Sequence, residues 1–101
     1  MGTSSYILVG TEEGMKVAFG SACHGAGRAM SRTQAKRKWH GREIVQALES
    51  QGVMVRGHSY SGLAEEAPES YKDVAEVVDA AHHANLARKV VRVKPIACVK
   101  G

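Results

Sequence analysis

The residues best suited to chemistry lie in one stretch, Gly20-Ser21-Ala22-Cys23-His24-Gly25-Ala26-Gly27-Arg28. A neutral imidazole can attack phosphorus, forming a phosphoramidate and dividing one hard transfer into two easier ones. Such a step needs backbone donors for the phosphoryl oxygens and a nearby cation. Glycine lets the backbone approach a ligand closely and take up positive φ, and arginine presents a fixed guanidinium fork to a phosphate. His24, Gly25, Gly27 and Arg28 supply these parts in order. The basic stretch that follows has helical spacing, so the loop is expected to empty into a helix N-terminus, a favourable seat for an anion. Cys23 reads as a small apolar residue more readily than as a ligand or nucleophile. No Cys-x-x-Cys or His-x3-His spacing offers a self-contained zinc site.

The elements that must hold this loop are short. Tyr6-Ile7-Leu8-Val9, ended by Gly10, reads as a buried strand. Thr11-Glu12-Glu13 opens a helix with a hydroxyl cap and acids in its first turn, and Gly20 closes it. From Gly27 to Trp39 the pattern is helical, with Arg28, Arg32 and Lys36 on one face by i, i+4 spacing. Ser31 and Thr33 could recap it, leaving one bent helix or two short ones. Arg42 to Gln51 forms a further helix with Ile44, Val45 and Leu48 as its buried stripe and Gly52 as its stop. Val53 to Val55 reads as a strand, and Gly57 to Ser70 as a loop. Val74, Val77, Val78 and Ala81 give the clearest helical period, with Asn85 as terminator. Val90 to Val93 and Ile96 to Val99 read as strands around Pro95. The fold class is α+β, built from short strands and helices.

Composition narrows the function classes. The 101 residues carry 14 Lys and Arg against 10 Asp and Glu, a net charge of +4, which suits a phosphate-bearing partner without requiring one. No acid interrupts Arg28 to Arg42, whereas acids gather between Glu65 and Asp79. No apolar run approaches the ~20 residues needed to cross a bilayer, and the N-terminus lacks a signal-peptide pattern. These features predict a soluble, cytoplasmic chain with no membrane partner. Cys23 and Cys98 are expected to be reduced thiols. Met1 leads almost directly into a strand, which suggests a piece of a larger fold.

Other motifs have simpler explanations. Adjacent His82 and His83 point about 100° apart on a helix, which suits a helix C-terminus better than shared metal binding. Trp39 fits a core more readily than a base stack. Glu65-Glu66-Ala67-Pro68-Glu69 reads first as an exposed loop and helix start, and only second as an acidic edge of a site.

Four motifs, in order and spanning the chain, resemble the C-terminal end of the RtcB family of RNA-splicing ligases. They are Gly2-Thr3-Ser4-Ser5-Tyr6-Ile7-Leu8-Val9-Gly10-Thr11-Glu12; Cys23-His24-Gly25-Ala26-Gly27-Arg28 with Met30-Ser31-Arg32; Glu65-Glu66-Ala67-Pro68-Glu69-Ser70-Tyr71-Lys72; and Lys94-Pro95-Ile96 with Val99-Lys100-Gly101. The resemblance implies a C-terminal segment of a larger single-domain ligase fold. It implies an enzyme that uses GTP and manganese to join RNA 3′-phosphate or 2′,3′-cyclic phosphate ends to 5′-hydroxyl ends, as in tRNA splicing and RNA repair. On that basis His24 is the nucleophile that becomes guanylylated, and Gly25, Ala26 and Gly27 contact the nucleotide beside it. Ser5 and Lys100 match guanine-binding positions, Met1 the last residue of another nucleotide-contacting loop, and Tyr71 a tyrosine lying against the guanine. Arg28 and Arg32 are candidates for RNA or phosphate contact. The family's manganese ligands lie upstream of the residues present here. The implied partners are RNA, GTP and the rest of the ligase catalytic domain, and the isolated chain is expected to be inactive. The alternative is a non-catalytic fragment that binds RNA or nucleotides through its basic segment.

Overall fold

The computed structural model describes residues 1–101. The chain divides into two compact units: Met1–Thr3, Arg28–Tyr71 and Lys94–Gly101 form one, and Ser4–Gly27 with Lys72–Val93 the other. Both mix short helices and strands, in keeping with the expected α+β class and with a piece of a larger domain.

The Ser4–Gly27/Lys72–Val93 unit is built on strand β1 (Ser5–Gly10), helix α1 (Glu12–Ala18), helix α5 (Val74–His83) and strand β3 (Ala87–Val93). β1 and β3 pair antiparallel from Ser5 opposite Val93 to Gly10 opposite Ala87, with a register shift between Ile7 and Leu8. Thr11 caps α1 as its sequence predicts: its hydroxyl accepts from Gly14 N and donates to the Asn85 carbonyl. Phe19 ends the helix in the left-handed region at φ 54°, and Gly20 follows at φ 72°. Asp73 caps α5, whose Val78 and Ala81 are buried. Asn85, at φ 55°, turns the chain into β3.

One expectation fails in this unit. β1 is a strand but not a buried one, since Ile7 is 56% and Val9 52% exposed. α5 packs on β3, while side chains such as Ile7 and Val9 on β1 stay open.

The other unit holds helix α2 (Arg32–Lys38), helix α3 (Gly41–Ser50), strand β2 (Met54–Gly57), helix α4 (Tyr60–Glu65), a 3-10 turn at Pro68–Ser70 and strand β4 (Ala97–Lys100). Its core joins Ile44 and Leu48 of α3 to Val53, Val55 of β2, Leu63 of α4 and Ala67, with Met1, Trp39, Val45 and Cys98 packed around them. Trp39 is therefore a core residue. β2 and β4 pair in parallel, with Val55 opposite Cys98 and Gly57 opposite Lys100.

Two expectations change here. α2 begins at Arg32, because Ser31 and Gln34 form a reciprocal capping box. Arg28 is therefore off the helix and pairs with Tyr71 in an isolated antiparallel bridge. Neither the three-cation helical face nor a glycine loop running straight into a helix exists. Second, Gly57 to Ser70 is not a loop: it contains α4, capped by Ser59, and the 3-10 turn.

α3 meets α4 at Gly41. A Cβ there would lie 1.9 Å from the Tyr60 carbonyl oxygen, an atom that cannot swing aside. Gly41→Ala is expected to lower stability by about 2–3 kcal/mol, or roughly 10 °C or more in Tm for a chain this size. Thermal unfolding followed by circular dichroism checks this; an unchanged Tm would show that the two helices separate freely at this point.

Candidate functional site

In the Ser4–Gly27/Lys72–Val93 unit, the candidate residues sit on a strand start and an open loop. His24 lies in a bend with its side chain exposed, Cys23 and Ala26 are half-buried, and Gly25 and Gly27 are exposed. A Cβ on Gly25 or Gly27 would meet nothing within 4 Å, and Gly27 has φ 75°. The loop thus keeps free space around its glycines, and at Gly27 the conformation itself favours glycine. Ser5 opens β1 with an exposed side chain.

In the other unit, a polar cluster converges on the C-terminal end of α4. Carboxylates at a helix C-terminus face the negative end of the helix dipole and need cations nearby. Glu65 receives Lys36 Nζ at 2.6 Å and Arg32 Nε at 3.4 Å. Glu66 accepts the Tyr71 hydroxyl at 2.6 Å and lies 3.3 Å from Lys100 Nζ and 3.7 Å from Arg28 Nη1.

Arg28 ties the cluster together. Its Nε donates to the Met30 carbonyl at 3.0 Å, Nη1 to the Tyr71 hydroxyl at 2.9 Å, and Nη2 to the Glu65 carbonyl at 2.6 Å. Its Cζ lies 4.8 Å from the Tyr71 ring centroid. Ala29 N also donates to the Ser70 carbonyl, fixing the backbone beside it.

Of the residues singled out in the sequence, Arg28, Tyr71 and Lys100 are gathered on Glu66, while Arg32 is drawn to Glu65. Met1 packs on the core of the same unit. The acidic stretch is neither an exposed loop nor a helix start at this point. Glu65 and Glu66 are half-buried and end α4, and Glu66 is the group sequence reasoning missed. The only sequence signal for it was the acidic pair itself.

The titration of this cluster follows from its contacts. Burial alone would raise the Glu66 pKa, but hydrogen bonds from Tyr71 and Lys100, with the charges of Lys100 and Arg28, outweigh it and hold the carboxyl below its ordinary range. Burial raises the Tyr71 phenol, and the Glu66 carboxylate raises it further against the opposing pull of Arg28. A depressed carboxyl contributes stability above its unfolded pKa and loses it as pH falls through the folded value. A raised phenol contributes below its unfolded pKa and loses it as pH rises through the folded value. The stability lost in Glu66→Gln is therefore expected to shrink as pH falls below about 4, and that lost in Tyr71→Phe to shrink above about pH 10. Urea unfolding across pH measures both differences; pH-independent differences would mean that these contacts do not hold the ionised carboxylate and the neutral phenol.

His82 and His83 have local roles. His83 Nδ1 lies 2.8 Å from the Asp79 carbonyl, and His82 Nδ1 accepts from Lys89 N at 3.1 Å. Lys89 Nζ also pairs with the Asp79 carboxylate. Cys23 and Cys98 are free thiols.

Comparison with known proteins bears directly on these features. Residues 1–101 match the family model described as "tRNA-splicing ligase RtcB", and the chain belongs to that family. It is 54% identical over 101 residues to the tRNA-splicing ligase RtcB of Methanopyrus kandleri, covering all of this chain and 10% of that protein. It is 52% identical over 101 residues to the tRNA-splicing ligase RtcB of Archaeoglobus fulgidus, covering 21% of that protein. The chain thus spans about a fifth or less of the length of these relatives. No helix is long and apolar enough to cross a membrane.

Proposed function

We propose that residues 1–101 are the nucleophile-bearing portion of a cytoplasmic, GTP-dependent RNA ligase. The single observation that carries this is the match of the whole chain to the RtcB family, with His24 exposed in a loop whose glycines leave room beside it. In this reading the neutral His24 imidazole attacks the α-phosphorus of GTP. Its new P–N bond replaces the P–O bond to pyrophosphate, and the imidazole proton passes to solvent or base. Gly25, Ala26 and Gly27 bring their backbone against the nucleotide. The GMP moiety then moves to an RNA 3′-phosphate, freeing His24, and a 5′-hydroxyl displaces GMP to close the strand.

By the family resemblance, Ser5 and Lys100 take guanine-binding roles, Tyr71 that of a tyrosine against the guanine, and Met1 that of the last residue of another nucleotide-contacting loop. Lys100 is a donor-only group suited to a guanine carbonyl. Arg28 and Arg32 are assigned to RNA or phosphate contact. In this structure Arg28 directs three nitrogens at protein acceptors, so its contribution there is to hold Tyr71 and Glu66 in place.

Manganese does not fit the residues present: no three His, Cys, Asp or Glu side chains converge to hold a metal. Its ligands would lie in the remainder of the ligase domain. The chain alone is accordingly expected to take up no label from α-labelled GTP and manganese, and to take it up once the upstream part of the ligase polypeptide is present. Robust labelling of the chain by itself would show that this portion carries a complete site.

A further inference from the structure

One carboxylate oxygen joins an anchored tyrosine to a flexible lysine. Glu66 Oε2 accepts the Tyr71 hydroxyl at 2.6 Å and lies 3.3 Å from Lys100 Nζ. The Tyr71 oxygen in turn accepts from Arg28 Nη1 at 2.9 Å, and the same nitrogen lies 3.7 Å from Glu66 Oε1. Tyr71 and Arg28 thus hold the carboxylate from one side. Lys100 arrives on a short strand, paired opposite Gly57 of β2. A Cβ on Gly57 would lie 2.6 Å from Leu63 Cδ2, so β2 runs close against α4, the helix that Glu66 ends. His58 N donates to the Lys100 carbonyl at 3.3 Å, which fixes the backbone but leaves the four-carbon side chain to rotate. Glu66 is the carboxylate that restrains its tip. All of these residues belong to the unit of Met1–Thr3, Arg28–Tyr71 and Lys94–Gly101.

We propose that Glu66 is a positioning residue for nucleotide binding, its carboxylate setting the Lys100 ammonium in place before the base arrives. The proposal rests on the assignment of Lys100 to the guanine. A free lysine side chain loses rotamer entropy when a ligand fixes it, and a pair made beforehand removes part of that cost. The ammonium has three donors, and pairing with Glu66 leaves others for a ligand. The carboxylate beside it also repels a phosphate, while a neutral ring carbonyl can still accept from the ammonium. The Glu66 side chain is 19% exposed and that of Lys100 42%, so the lysine is the more accessible member of the pair. Glu66 touches no substrate in this arrangement and acts through Lys100.

Initial rates of guanylylation of the ligase polypeptide, with α-labelled GTP at varied concentration and manganese, test this. Glu66→Gln is expected to raise the half-saturating GTP concentration about 5-fold and to leave the saturating rate unchanged. Glu66→Asp, which keeps the charge one methylene short of the ammonium, is expected to fall between parent and Glu66→Gln. With Lys100→Ala at about 10-fold, the double variant Glu66→Gln/Lys100→Ala is expected to match it within about 2-fold, whereas independent effects would multiply to about 50-fold. Glu65→Gln removes ion pairs to Lys36 and Arg32 at the same helix end and is expected to shift half-saturation less than about 2-fold. Circular dichroism fixes an assay temperature at which every variant is folded. Parent-like half-saturation in Glu66→Gln beside a weakened Lys100→Ala, a multiplied loss in the double variant, or an equal loss in Glu65→Gln would overturn the proposal. Parent-like half-saturation in Lys100→Ala would contradict the guanine assignment itself and overturn both.

Discussion

Arg28→Ala is expected to destabilise the chain by about 3 kcal/mol, a fall in Tm of roughly 10–20 °C. The guanidinium donates to two backbone carbonyls and the Tyr71 hydroxyl, and it lies beside the Glu66 carboxylate. Removing it leaves all four acceptors seeking new partners, and hydrogen bonds to a charged group are among the stronger ones. Its side chain is 22% exposed, so water reaches part of the vacated space and the loss stays below that of a fully buried pair. Arg28→Lys is expected to recover less than half of it. An ammonium keeps the attraction to Glu66 but cannot span Met30, Glu65 and Tyr71 with a rigid fork. Chemical denaturation of parent and both variants measures these values. A loss under about 1 kcal/mol for Arg28→Ala would mean that the cluster is a loose surface network, and full recovery with lysine would mean that charge alone matters.

The same cluster shows where sequence stops being legible. Helices whose signals are local were readable: Thr11 with Glu12 and Glu13 starts α1, Gly52 at φ 82° follows the end of α3, and the valine period of α5 buries Val78. α4 was hidden, because Tyr60-Ser61-Gly62-Leu63-Ala64-Glu65 buries only Leu63 and Ala64 and contains a glycine. One turn of apolar residues is too little for a period. The basic i, i+4 spacing misled in another way. It was satisfied through Arg28, but the helix starts where its backbone donors are capped, and Ser31 with Gln34 was the readable sign. β1 and β3 were each visible as apolar runs, yet how much of either is covered depends on what packs across it, and that is not written locally.

The site divides along the same line. The histidine, glycines and arginine stand together in one stretch of sequence, but in the structure Arg28 turns to Met30, Glu65 and Tyr71. Glu66 draws its partners from Arg28, Tyr71 and Lys100, which are far apart in the chain and meet only after folding. No spacing rule connects them. The parallel pairing of β2 with β4, which carries Lys100 to this position, is likewise a long-range event.

The largest expected effect on function belongs to His24. A covalent route depends on its nucleophile, and losing such a group in a cooperative site costs on the order of 10³-fold or more. The imidazole is exposed and outside the hydrophobic core, so His24→Ala is expected to leave unfolding unchanged while removing the proposed nucleophile. Lys100→Ala keeps that nitrogen and is expected to weaken guanylylation by a smaller factor, about 10-fold, by raising the GTP concentration required.

The most direct measurement is covalent labelling of the ligase polypeptide containing these residues, incubated with α-labelled GTP and manganese and then mapped by peptide. The account predicts an acid-labile GMP adduct on the peptide bearing His24, and none in His24→Ala. An undiminished adduct in His24→Ala, or one mapped to another residue, would contradict it.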